Sequence, residues 1–345
     1  MQLRTCTILL LLPFAGIASQ DWVTGLGGSV IKGADGSVIE VSLRAAWISD
    51  GELARVTAFP KLRKLDLAYT HINDRALEPL KKLRQLATLD LTFAEHITDA
   101  GLAHLRSIPS LERLSLEGTR ISDSGMSSLA ALANLNALNL RSTLITDSAI
   151  EQLETLARLE ELSIGANRIA GWGLIYLQAL PRLKHLDLSG VQLTDDGIWS
   201  VALTDLNIEA IAALRELESL NLASTELTGV AKIPDGGMRG SNTIRITDLG
   251  IEKLGLLRNL KRLDIARARI GERGLRGLAM LPQLEYLGLA YTKGLDESAI
   301  SVLAAMKHLR ILDLSGVSLV ERGKLRLVGK DWLRIVGLPV KGSLD

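Results

Sequence analysis

Five histidines and one cysteine are the side chains best suited to ligating a metal or attacking a substrate, and their positions favour neither role. His71, His96, His104, His185 and His308 share no metal-ligand spacing. Cys6 stands alone, so there is no thiolate site, disulfide framework or paired cysteine nucleophile. His185 is the strongest candidate, because Asp187 two residues on projects from the same face if the segment is a strand. No serine in a Gly-x-Ser-x-Gly turn accompanies the pair, so the side chains of a hydrolase triad are incomplete. The glycine runs do not make phosphate sites either. Gly25-Leu26-Gly27-Gly28 leads toward a hairpin rather than a helix, and GKLRLVGK at 323–330 has no Ser or Thr after its final lysine. No nucleotide or other cofactor is expected.

A different constellation recurs along the chain. Ser42, Asp66, Asp90, Ser115, Asn139, Ser163, Asp187, Asn221, Asp264, Gly288 and Asp313 each sit between two apolar residues of a short alternating segment. If those segments are adjacent strands about 4.8 Å apart, Asp66 and Asp90 are neighbours on one polar stripe. The row two residues earlier supplies Lys64, Arg113, Glu161, His185 and Arg262. From these two rows the candidate binding residues are Lys64, Asp66, Asp90, Arg113, His185, Asp187, Arg262 and Asp264. Three readings of the stripe remain open: a solvated face, a recognition surface, or a calcium site. Calcium is the weakest, because it takes about 6 to 8 oxygens and two lone carboxylates do not supply them. Tyr69, Phe93, Tyr286 and Tyr291 lie in or just after the same segments, where they serve as interface anchors or as packing.

The elements that must position these residues repeat. An apolar triplet spaced Leu-x-x-Leu-x-Leu begins at Val38, Leu62, Leu86, Leu111, Leu135, Leu159, Leu183, Leu217, Leu260, Leu284, Leu309 and Leu333, at intervals of 24, 24, 25, 24, 24, 24, 34, 43, 24, 25 and 24. A fixed period in the twenties predicts a solenoid. Each unit opens with period-two alternation, as a strand with one buried face should, and closes with apolar residues at helical spacing, such as Ile150, Leu153 and Leu156. Between them recurs Ile-Thr-Asp or a close variant, at 97–99, 121–123, 145–147, 193–195 and 246–248, often with a glycine two residues later. The Ser or Thr caps the free amides of a helix start, and the Asp favours the positive end of its dipole. Pro60, Pro109, Pro181 and Pro282 stand where helices should end.

This pattern, over residues 38–338, resembles the leucine-rich repeat family, in the longer helical class seen in F-box partner proteins and in many exported bacterial proteins. The resemblance implies an α/β fold: a right-handed superhelical solenoid with a parallel β-sheet on the concave face and α-helices on the convex face. It also implies a polar residue after each strand that ties neighbouring coils together. Thr70, Thr119, Thr143, Asn167, Thr225 and Thr292 occupy that position, while Val191, Ala268 and Val317 interrupt it.

Residues 1–20 combine Arg4, an apolar run from Ile8 to Ile17 and small residues at Gly16, Ala18 and Ser19, which predicts a secretory signal peptide. The run is too short for a spanning helix, which needs about 20 residues, and no later segment is long enough. Cleavage removes Arg4 from the 40 basic residues and leaves 39 against 39 acidic ones. That balance gives no general attraction to nucleic acid or anionic lipid. Residues 21–37 read as a capping hairpin around Asp35-Gly36, and 38–345 as the repeat domain. Insertions fall near 196–205, where Leu-Thr-Asp occurs twice, and at 229–245, where Pro234, Gly236, Gly237 and Gly240 predict a loop carrying Lys232 and Arg239.

The function these features point to is a non-catalytic, secreted, periplasmic or envelope scaffold that recognises a protein or cell-surface polymer on its concave face. One alternative is an enzyme or sensor with its site under the 229–245 loop. Another is substrate capture for a ubiquitin-ligase-like complex, which needs an F-box that the 17 residues between position 20 and the first repeat cannot hold and which export excludes.

Overall fold

A computed structural model describes residues 20–194, 197–223, 246–318, 327 and 330–337. Residues 1–19, expected to be a signal peptide, the inserted segment 224–245 with Thr225, Lys232 and Arg239, and the last residues from 338 lie outside the described residues.

One continuous sheet of thirteen strands forms the spine. β1 (Ser29–Lys32) runs antiparallel to β2 (Val38–Ser42), with Asp35 and Gly36 in the turn between them. Parallel strands then follow one per coil: β3 (Lys64–Asp66), β4 (Thr88–Asp90), β5 (Arg113–Ser115), β6 (Ala137–Asn139), β7 (Glu161–Ser163) and β8 (His185–Asp187). The inserted β9 (Gln192–Thr194) and β10 (Gly197–Trp199) pair only with each other. The main sheet resumes with β11 (Ser219–Asn221), β12 (Arg262–Asp264), β13 (Tyr286–Gly288), β14 (Ile311–Asp313) and β15 (Arg334–Val336).

The register follows the triplets. Leu138 of β6 lies between Leu114 and Leu162, and Leu220 of β11 lies between Leu186 and Leu263 across the longer intervals. All of these leucines are buried, in a ladder that runs the length of the solenoid. Burying each Leu contributes on the order of 1.5–3 kcal/mol, so the core is stabilised coil by coil and needs no large rings at its centre.

The convex side mixes α and 3₁₀ geometry. Asp99–Leu105, Asp205–Ala212 and Glu297–Ala305 are α-helices, whereas Asp74–Lys82 and Trp172–Ala179 are 3₁₀, the first with Pro79 inside it. Apolar spacings of three and four residues fit both forms, so periodicity alone did not separate them.

The capping hydroxyls act as the sequence implies: Thr98, Ser122, Thr146 and Thr247 each accept a backbone N–H two residues on. The adjoining aspartates, each in the first turn of its own helix, also act between coils. Asp74 accepts from Thr98 N and Oγ1 at 2.7 and 2.6 Å, Asp99 from Ser122 N and Oγ at 2.8 and 2.6 Å, and Asp123 from Thr146 N and Oγ1 at 2.7 and 2.6 Å. Asp205 does the same for Thr247 across the 42 residues between them. The recurrent glycine follows from this ladder. A Cβ at Gly101, Gly125 or Gly250 would stand 2.5, 2.4 or 2.3 Å from the preceding coil's Asp Oδ1.

Two sequence expectations change. Leu193-Thr194-Asp195 is not a helix cap, because its first two residues belong to the β9–β10 hairpin. The cap is Thr204, which forms a reciprocal box with Asn207. The polar residue after the strand mostly does not tie coils: Thr70, Thr119 and Thr143 donate to Leu67, Leu116 and Leu140 of their own coils at 2.6, 2.5 and 2.8 Å. Of the three, Thr143 also reaches the next coil, its hydroxyl lying 3.1 Å from Asn167 Oδ1. Asn167 does reach, accepting from Thr143 N at 2.8 Å and donating to Leu140 O at 2.7 Å.

Candidate functional site: the concave strand face

The period-two strands place the polar stripe side by side, from Ser42 against Asp66 and Asp66 against Asp90 to Gly288 against Asp313. Most of its charges are neutralised within the chain. Arg44, two residues beyond Ser42, reaches Asp66 at 3.1 Å and Asp90 at 3.0 Å, bringing both candidate carboxylates into one clamp. Burial works against the Arg44 charge, but the hydrogen bond to Asp66 and the two carboxylate charges outweigh it and raise its pKa. Lys64 lies 3.7 Å from Glu40 on the neighbouring strand.

Arg113 makes a two-pronged pair with Glu161 at 3.0 and 2.6 Å, two strands away. Buried Ala137, in register between them, leaves room for the guanidinium to cross. The bond from Arg113 holds the Glu161 carboxyl below the usual range, with burial opposing. His185 is exposed between Glu161 and Ser219. Asp187 accepts from Ser189 N at 2.8 Å and lies 3.8 Å from Arg141, which donates to Ser189 O at 2.8 Å and lies 3.7 Å from Glu117. Gly190, at φ 88°, makes this possible, because a Cβ there would fall 2.0 Å from Arg141 Nη2. Farther along, Arg262 lies over the Tyr286 ring at 3.6 Å from its centroid, and Tyr286 Oη donates to Asp264 at 3.4 Å. Burial, then the Asp264 charge, raises the Tyr286 pKa.

The eight candidates are therefore not one site: Lys64, Asp66 and Asp90 stand at the first coils, Arg113 shares a cleft with Asp90, and His185, Asp187, Arg262 and Asp264 line a second cleft farther along. Arg44, Glu117 and Arg141 are the participants that sequence reasoning missed. Their signal was the period of two carried one step past each triplet. A shallow cleft of about 310 Å³ lies over Asp90, Arg113, Ser115, Asn139, Glu161 and Ser163. That is the low end of ligand-pocket sizes, and its lining mixes these polar side chains with Leu89, Leu114, Ala137 and Leu138. Among the described residues no three His, Cys, Asp or Glu side chains converge as metal ligands.

The strands leave the sheet through a left-handed bend seven residues into each coil. Glycine occupies it at Gly118, Gly190 and Gly316, but Tyr69, Phe93 and Tyr291 adopt it with φ of 60°, 54° and 56°. Bulky side chains rarely accept that conformation, which costs on the order of 1–3 kcal/mol each. The Tyr69 and Phe93 rings stack at 5.2 Å, and the Phe93 ring lies where a Cβ on Gly118 would stand. Beside them Trp47 stacks on His71 at 4.9 Å, and His71 faces His96 at 6.2 Å.

Coils of strand, bend and helix stacked on a parallel sheet, with a polar concave face, define a solenoid of the repeat-scaffold class. The chain is a leucine-rich repeat protein: the Leucine Rich repeat family profile matches residues 60–81 and 107–130, and the same unit recurs along the sheet. It is similar in fold to the crystal structure of an internalin from Listeria monocytogenes, with a TM-score of 0.55 and 18% identity over 90% of this chain and 92% of that one. Internalin C2 from the same species aligns with a TM-score of 0.42 and 24% identity over 61% of this chain and 80% of that one. No curated protein matches the sequence. Among the described residues, no helix is long and apolar enough to cross a membrane.

Proposed function

We propose that the protein is a non-catalytic, exported scaffold that recognises another protein, or a cell-surface polymer, on its concave face. The observation that carries this reading is the in-register polar stripe, a continuous surface of pre-ordered amides, hydroxyls and ion pairs on a rigid sheet. Side chains already held in place lose little entropy on binding, which favours extended protein contacts. The enzyme alternative draws on His185 and Asp187, but the Asp187 carboxylate is engaged by Ser189 N and lies beside Arg141. The other part of that alternative, the 229–245 loop, lies outside the described residues.

A photo-crosslinking side chain at Ser163 on the concave face should capture a partner in the native compartment. The same group at Glu151, exposed on a convex helix, should not. Capture at Glu151 alone would overturn the concave assignment. Export is tested separately by mass spectrometry of the native protein, whose amino terminus should lie near Ser19, Gln20 or Asp21. An intact Met1 terminus in the cytoplasm would refute it.

A further inference from the structure

Most concave cations face carboxylates, whereas the cations on the rim beside the concave face do not. Arg44, Lys64, Arg113 and Arg141 all face carboxylates within 4.0 Å. The rim position nine residues into each coil (ten for His96, whose coil has one more) holds Trp47, His71, His96, Arg120, Leu144 and Arg168 in successive coils. After the insertions it holds Arg269 and Lys293. All of these side chains are exposed, and among the described residues none of the four rim cations forms an ion pair, although Arg168 lies over the Trp199 ring at 5.3 Å from its centroid. From Trp47 to Arg168 no carboxylate stands on the row, and Glu95 beside His96 is the nearest acidic neighbour in sequence, while the same offset gives Gln192 and, outside the described residues, Glu226.

The row is also held in place. Arg120 N donates to Ile97 O at 2.9 Å, Leu144 N to Ile121 O at 2.8 Å, and Lys293 N to Ala268 O at 3.1 Å, so the rim backbone is tied coil to coil. The opposite edge differs, because Arg158 there donates to Asn134 and Arg215 and Arg258 donate to the carbonyls of Leu256 and Met280.

Trp47 stands at the head of this row with 82% of its surface exposed, although its indole is the largest apolar side chain available for burial. Leu144, between the two arginines, is 43% exposed. A Trp anchor, an aliphatic contact and arginines without a carboxylate partner are side chains suited to the energetic centre of a protein interface. Leu144 among the cations favours a protein over a sugar polymer, because a hydroxyl-covered polymer offers an exposed aliphatic side chain little apolar contact whereas a protein surface does.

We propose that this rim, from Trp47 through Arg168, docks an acidic protein surface, with Trp47 as its apolar anchor and Arg120 and Arg168 as its charge contacts. The proposal rests on the scaffold reading above but moves the decisive contacts from the strand face to the rim.

The test uses the full mature chain and two immobilised probes, a random copolymer of glutamate and tyrosine and a sulfated dextran. The parent should bind the copolymer, with affinity falling as salt rises. Arg120→Glu with Arg168→Glu should weaken it by at least about tenfold, by removing two charge contacts and adding repulsion. Trp47→Ala should weaken it by about thirtyfold, as hot-spot anchors do, with an unchanged melting temperature. Arg84→Glu with Arg182→Glu, an equal charge reversal at two exposed residues on the opposite edge, should leave it unchanged. Equal loss in that pair would show bulk charge rather than a rim site. Binding of sulfated dextran but not the copolymer would overturn the protein assignment. If the rim variants bind like the parent while Ser163 crosslinks a partner, the rim proposal falls and the concave-face reading stands.

Discussion

A methyl group added to Gly125 tests the inter-coil aspartate ladder directly. Gly125 has φ −74° and ψ −19°, helical values that alanine prefers by about 1 kcal/mol, so local propensity predicts that Gly125→Ala stabilises the protein. The ladder predicts the reverse, because the new Cβ would lie 2.4 Å from Asp99 Oδ1 and 3.0 Å from its Cγ. That carboxylate cannot swing away without releasing Ser122 N and Oγ, which it holds at 2.8 and 2.6 Å. Overpacking of this kind costs about 1–3 kcal/mol, so Gly125→Ala should be a net destabilisation. Asp99→Ala alone should cost about 1.5–3 kcal/mol through the lost charged hydrogen bonds. The double variant removes the group the methyl strikes, leaving the end of Leu102 as the remaining close contact, which can shift. Its loss should fall short of the sum of the single losses by about 1–2 kcal/mol. Urea denaturation of the four chains followed by circular dichroism measures the cycle. Additivity within about 0.5 kcal/mol, or a Gly125→Ala protein more stable than the parent, would refute the close-approach argument.

Leu138→Ala should cost about 2–5 kcal/mol in the same assay, since its side chain is buried between Leu114 and Leu162, whereas Glu151→Ala on the exposed convex side should change stability by less than about 0.5 kcal/mol. Gly190→Ala should lower the melting temperature more than Gly36→Ala: both residues have positive φ, but the new Cβ strikes Arg141 at the first and meets nothing within 4 Å at the second. The Glu161 carboxyl, held low chiefly by the Arg113 bond, should titrate by NMR below the ordinary glutamate range and move upward in Arg113→Gln. Its folded pKa lies below the unfolded one, so its contribution to stability is present above the ordinary glutamate range and is lost as pH falls through the folded value. An unchanged midpoint in the variant would show that the pair does not form in solution.

Legibility followed the repeat's own geometry. Strand register could be read because a one-residue slip would turn every triplet leucine to solvent, so Asp66 against Asp90 and Asp187 beyond Ser163 were implied by the period. The ion pairs were not, since Arg44 and Arg141 stand just past the strands and the partners they reach lie one or two coils away. The choice between α and 3₁₀ in Trp172–Ala179 was equally hidden, because apolar spacing is common to both. The histidines show the general reason. His71 and His96 are 25 residues apart and fit no ligand spacing for a single helix or loop, yet their rings lie 6.2 Å apart because 25 residues is one turn of the solenoid. Asp99 and Ser122 are separated by 23 residues and share two hydrogen bonds for the same reason. In a solenoid, residues one period apart are neighbours, as residues four apart are in a helix. Side-chain chemistry therefore has to be searched at offsets near 24 before a constellation is dismissed. Applied to the rim, that offset aligns Trp47 with His71, and Arg120 with Leu144 and Arg168. The row had no motif in the linear sequence because each of its members belongs to a different coil.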